Sequence, residues 1–203
     1  MKRKIVIVGY GGHGKSIADS IETKKEYDII GYTDRHETEN SKYNYLGTDE
    51  MLESIYNEGV RYAILGVGYM GKGTLRDILY KKLIQIGYSI PAIIDTTSIV
   101  SPLASVGEGT YVGKGAIINA YASVGKNCII NSGAIVEHSC IIGNYSHVAV
   151  GAVLCGDACI GEHTFVGANA TIINGMMIGE NVVVAAGTTV IRNISSNQKY
   201  YGI

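Results

Sequence analysis

Residues 106–130 read VGEGTYVGKGAIINAYASVGKNCII, with an aliphatic residue at Val106, Val112, Ile118, Val124 and Ile130. Extended outward, the same interval of six runs from Ile94 to Val190, 17 positions without a skip, 16 of them Val or Ile. A period of six is not helical; it fits one short strand and one corner per hexad. The β-branched anchor suits a strand and points inward. Seven residues that follow an anchor are glycine, Gly107, Gly113, Gly125, Gly143, Gly161, Gly167 and Gly179, and these are expected to relieve strain in the corners. The fourth residue after the anchor is Ala, Thr, Cys or Ser at all twelve positions from Ala104 to Ala170, small enough for a crowded corner. Three hexads close a triangular coil of 18 residues. Coils ~4.8 Å apart then stack into a prism of about five, each burying its core against its neighbours. No loop interrupts the repeat between Val100 and Val190, so a bare prism offers few side chains for recognising an acceptor.

The rest of the composition agrees with a folded chain. Of 203 residues 46% are hydrophobic and 17% charged, enough for a buried core, and 27 glycines against 2 prolines imply many tight turns. A net charge of −1 gives no reason to expect nucleic acid or an anionic membrane as a partner. The apolar run Ile5 to Val8 is too short for a signal peptide or a membrane span and reads as a first strand, which makes a cytoplasmic location the expectation. Cys128, Cys140, Cys155 and Cys159 form no CxxC pair, so free thiols are expected. Cys155, Cys159 and His163 could be read as a metal cluster, but all three have places in the repeat, and no metal is expected.

Residues 1–92 alternate strands and helices: strands at Lys4–Val8, Tyr27–Tyr32 and Arg61–Leu65, helices at His13–Thr23, Thr48–Asn57 and Thr74–Ile86. That alternation predicts a parallel, doubly wound sheet. The first turn, Gly9-Tyr10-Gly11-Gly12-His13-Gly14-Lys15-Ser16, satisfies both GxGxxG and GxxxxGK[ST]. Both aim backbone N–H groups at phosphate oxygens. A nucleoside-triphosphatase needs a magnesium-holding carboxylate at a later strand end, and no candidate precedes the repeat. Asp34 lies 20 residues after Gly14 at a strand end, where a ribose- or base-binding acid is expected. The domain is half a dinucleotide fold, so a single nucleotide diphosphate fits it better than NAD; a packing turn without a ligand is the plain alternative. Arg76 and Lys72 are candidate phosphate contacts or parts of a solvated helix face.

The GxGGHGK turn ahead of a hexapeptide prism resembles, over essentially the whole chain, the NeuD/PglD family of bacterial sialic-acid O-acyltransferases and UDP-amino-sugar N-acetyltransferases. The resemblance implies a Rossmann-like α/β domain over residues 1–92, followed by a left-handed parallel β-helix with a C-terminal tail over residues 93–203. It matches Val136-Glu137-His138-Ser139-Cys140 to the catalytic segment, with His138 as general base and Glu137 and Ser139 beside it. Some members carry an acidic, base-orienting residue where this chain has Ser139. The resemblance further implies that His147 faces the acyl-CoA, that Gly156, Ala168 and Ala186 lie along the CoA, and that Gly12, His13, Gly14, Asp34, Gly66 and Val67 surround a nucleotide sugar.

The expected chemistry is direct transfer from acetyl-CoA. A histidine ordinarily titrates near ~6.5 and can take a proton from an amine or hydroxyl at neutral pH. Cys140 sits at a small packing position and is a poor nucleophile. His138 and His147 are 9 residues apart, half a coil, and would converge most readily across an interface between two prisms, hence a homotrimer. The expected acceptor is the amino group of a UDP-linked 4-amino sugar in surface-glycan biosynthesis. The alternatives are a sialic-acid-type O-acetyltransferase and a non-catalytic nucleotide-sugar-binding scaffold.

Overall fold

Ile5, Val6, Ile7 and Val8 are all fully buried, as in a strand covered on both faces. In the computed structural model, which describes residues 2–71 and 73–202, they end β1 (Arg3–Val8). The chain divides into two units, Met1–Gly68 with Gly73–Ile93, and Tyr69–Lys72 with Ile94–Ile203.

In the first unit, β1 is followed by α1 (Gly12–Lys24), β2 (Tyr27–Thr33), a 3₁₀ turn (Asp49–Met51), α2 (Leu52–Asn57), β3 (Tyr62–Leu65) and α3 (Leu75–Ile86). The helix expected over Thr48–Asn57 is thus split, opening as a 3₁₀ turn. The sheet is parallel in the order β2-β1-β3. Ser89 extends it at β3, donating to the Arg61 carbonyl and accepting from Ala63 N–H. Helix α1 buries Ile17, Ala18 and Ile21, and Lys25 in left-handed conformation closes it.

In the second unit, two-residue strands recur every six residues, from Ile99–Val100 to Thr189–Val190. Up to Thr171–Ile172 each pairs in parallel with the strand 18 residues later, for example Ile135↔Val153 and Ile129↔His147. Among the described residues these strands, with Ile93–Ile94 and Lys199–Tyr200 added, make sheets of seven, six and five, close to six coils rather than five. The anchors fill the interior: Val112, Ile118, Ile130, Val136, Val148, Leu154, Val166 and Ile172 are fully buried. The register shortens only at the end, where Lys199 pairs with Val183, 16 residues back.

The corners differ from expectation in which residue does what. The left-handed conformation falls on the third residue after the anchor, at fourteen successive corners from Gly109 to Gly187, eight of them non-glycine, such as Asn127 (φ 51°) and Ser139 (φ 61°). The glycines directly after the anchors have ordinary φ. They are small because coils touch there: a Cβ on Gly143 would lie 2.5 Å from the Glu162 nitrogen. Where the fourth position carries a hydroxyl it bonds across coils, Ser146 donating to the Gly161 carbonyl at 2.8 Å and Thr164 to the Gly179 carbonyl at 2.7 Å. Among the described residues no helix is long and apolar enough to cross a membrane.

Candidate functional site

The corner after Ile135–Val136 carries Glu137, His138 and Ser139. Val136 points into the core, which forces the next residues out around the corner. Main-chain bonds fix them to both neighbouring coils: Ser139 N–H donates to the Ala120 carbonyl and Asp157 N–H to the His138 carbonyl, both at 3.0 Å. The exposed His138 imidazole lies over Gly156, one coil on. A Cβ at Gly156 would stand 2.5 Å from its Cε1 and Nε2. Glu137 accepts from the His138 backbone N–H at 3.3 Å. Among the described residues, no hydrogen bond joins Glu137 or Ser139 to the imidazole nitrogens. The ring is therefore seated by shape on a glycine and open to a proton-bearing ligand. Cys140, next along, is fully buried, and burial pushes its thiol up to about 11. It is a neutral packing thiol at physiological pH.

His147 is only 8% exposed. Its Nδ1 faces the Tyr69 carbonyl at 2.5 Å, its Nε2 the Asn131 Nδ2 at 3.2 Å, and the Phe165 ring meets it edge-on at 5.1 Å. His138 and His147 are not brought together within one chain. His138 sits at a corner, His147 on a face.

Ala168 is half-buried and Ala186 exposed, one coil apart in a column at another corner, linked by Gly187 N–H donating to the Ala168 carbonyl at 2.8 Å. The His138–Gly156 column and the Ala168–Ala186 column flank the same face. Its outward side chains include Ile99, 65% exposed, and the half-buried Ile117, Ile135 and Val153.

The first unit offers a second candidate site. In the order β2-β1-β3 the strand order switches sides between β1 and β3, and ligands of open α/β sheets bind at the strand carboxyl ends there. Those ends are Gly9–Gly12 and Gly66–Val67. Gly14 and Gly66 have no room for a Cβ because both pack on the Gly9 carbonyl. Gly11 and Gly12 face open space, and α1 starts there with no side-chain cap and no acidic residue in its first turn. Backbone N–H groups without such a cap suit an anion. Asp34 accepts from Tyr10 N–H and Arg35 N–H, both at 2.7 Å, and so braces the turn from β2. His13 is half-buried on α1 beside this turn. Arg76 is buried rather than on a solvated face, and donates to the Val67 carbonyl. Lys72 lies outside the described residues.

Sequence reasoning missed Tyr69, Asn131 and the place of Arg76. Asn131 left a signal, a polar residue at a corner position where the repeat often takes glycine; Tyr69 left none.

Residues 4–83 match the family described as PglD N-terminal domain, and residues 158–192 the hexapeptide repeat of succinyl-transferase. The chain is similar to PerB from Caulobacter crescentus in complex with CoA and GDP-perosamine: 31% identity, 96% of this chain and 91% of that one, TM-score 0.90. It is similar to the acetyltransferase domain of PglB from Neisseria gonorrhoeae FA1090 in complex with acetyl coenzyme A: 26% identity, 98% and 96% of the chains, TM-score 0.90. No curated protein sequence matches it.

Proposed function

Because the chain belongs to the NeuD/PglD-like family of sugar acyltransferases, we propose that it moves an acetyl group from acetyl-CoA to the amino group of a nucleotide-linked 4-amino sugar. The observation that carries this reading is the exposed His138 imidazole resting on Gly156 with its nitrogens open to a ligand.

The chemistry follows from that placement. Neutral His138 accepts a proton from the sugar amine as the nitrogen attacks the thioester carbonyl carbon. Negative charge collects on the carbonyl oxygen, where a backbone N–H can stabilise it. Gly156 N–H makes no backbone bond among the described residues and lies beside the ring, so it is the first choice. The C–S bond then breaks, and the CoA thiolate takes the proton back from His138. Glu137 and Ser139 hold the corner. Gly156, Ala168 and Ala186 are small enough to leave the CoA a path along the corners, and His147 stands beside the acyl end.

The nucleotide diphosphate sits at the switch point of the first unit, on the N–H groups of Gly12, His13 and Gly14, with Asp34 towards the base and Gly66 and Val67 at the sugar end. Uridine is the first choice and guanosine, the nucleotide bound by the Caulobacter relative, the second. A pathway building surface glycans would use such a product. The outward apolar column Ile99, Ile117, Ile135 and Val153 between the two corner columns suits packing against a second copy, and the active form is proposed to be a trimer. An active monomer in sedimentation velocity would exclude that assembly.

Release of CoA thiol from acetyl-CoA is to be measured against UDP- and GDP-linked amino sugars and sialic acid. Release with an amino sugar supports the reading. Release with sialic acid alone would make the protein an O-acetyltransferase. Silence throughout, with nucleotide-sugar binding intact, would make it a scaffold.

A further inference from the structure

The segment Tyr69 to Gly71 lies as a strap on the prism face that bears His147, Phe165 and Val183. Contacts from Tyr69 and Gly71 seat it. The Tyr69 carbonyl faces His147 Nδ1 at 2.5 Å, the Tyr69 phenol donates to the His163 carbonyl at 2.7 Å, and Gly71 (φ 73°) lies where a Cβ would meet Val183 Cγ2 at 2.5 Å. Tyr69 itself is 8% exposed.

These contacts decide where the His147 proton is. A carbonyl can only accept, so Nδ1 carries a hydrogen. On the other side, Asn131 Oδ1 accepts from Ser132 N–H at 2.8 Å, which turns the amide NH₂ towards His147 Nε2, 3.2 Å away. Nε2 therefore accepts and is bare. We infer that Tyr69 is a positioning residue whose strap holds His147 as the neutral Nδ1–H tautomer, unable to donate through Nε2. For catalysis this rests on the acyltransferase reading above. A bare Nε2 cannot hydrogen-bond the thioester oxygen, so charge there falls to a main-chain N–H. What His147 does is anchor the strap.

The test is nitrogen-15 NMR of the histidine-labelled full chain, with steady-state kinetics. In the unaltered protein, His147 is expected with Nδ1 protonated, Nε2 bare and the Nδ1 proton slow to exchange. Tyr69→Phe removes only the phenol bond. It should speed that exchange about fivefold, the factor one hydrogen bond carries. Asn131→Asp exchanges the donor for an acceptor and should bring a second proton onto Nε2. An Nε2–H tautomer in the unaltered protein overturns the inference, as does unchanged exchange in Tyr69→Phe. Correct tautomer and exchange with no turnover on any acceptor would support the strap and refute the acyltransferase reading.

Discussion

A methyl group added at Gly156 would stand 2.5 Å from Cε1 and Nε2 of His138; one added at Gly143 would stand 2.5 Å from the Glu162 nitrogen and 2.8 Å from the Gly161 carbonyl carbon. The first obstacle is an exposed side chain that can swing away, the second a backbone locked in the next coil. Gly156→Ala is therefore expected to leave urea stability nearly unchanged but lower kcat about 100-fold, the effect of displacing a catalytic group by ~1 Å. Gly143→Ala should lose about 1–3 kcal/mol of stability, as overpacking does. Equal stability losses in both would contradict the account of His138. Cys140 gives a pH prediction. Burial raises its thiol to about 11, so between an ordinary thiol's pKa and that value the unfolded chain ionises while the folded chain does not. Stability should fall as pH rises through that window, and the Cys140→Ala variant, compared by urea unfolding at pH 8 and pH 10, should show a shallower fall. At this scale the repeat made the corner position of His138 legible, while its role as base is what the family resemblance implies. Tyr69 was not legible, because its partners His147 and His163 lie 78 and 94 residues away.

Helix α1 begins at Gly12 without a side-chain cap, with no acid in its first turn and open space around Gly11 and Gly12. An isolated helix start of this kind would be stabilised by an acid, and a site built for a diphosphate would be blocked by one. Gly12→Asp is thus expected to raise stability by about 0.3–1 kcal/mol while weakening nucleotide-sugar binding, seen by calorimetry, at least about tenfold. Binding unaffected by the new carboxylate would return the turn to a packing role. Strands and helices were legible here to within a residue or two because apolar blocks alternate with glycine and polar turns. Helix α2 was the exception, since Asp49 and Glu50 open a 3₁₀ turn that periodicity does not distinguish from a helix. In the prism the corner chemistry was misread. Glycine after an anchor answers close contact between coils, and the left-handed residue comes two places later, where Asn, Asp, His, Ser and Tyr also serve.

The fold of the whole molecule was the most legible part. Except at its last coil, prism strands meet neighbours 18 positions away, so a solenoid writes its tertiary contacts into its sequence period. The site was less so, because its parts depend on which corner each residue occupies and on contacts the period does not encode. His138 and Gly156 are one coil apart in the same column, whereas His138 and His147 occupy different sides of the prism. The central claim is that His138 is the base for acetyl transfer. It is tested most directly by thiol release from acetyl-CoA with the best acceptor, comparing the unaltered protein with His138→Asn. The account predicts a loss of about 10²–10⁴ in kcat, with nucleotide-sugar and CoA binding retained in calorimetry. Turnover within about twofold of the unaltered protein would contradict it.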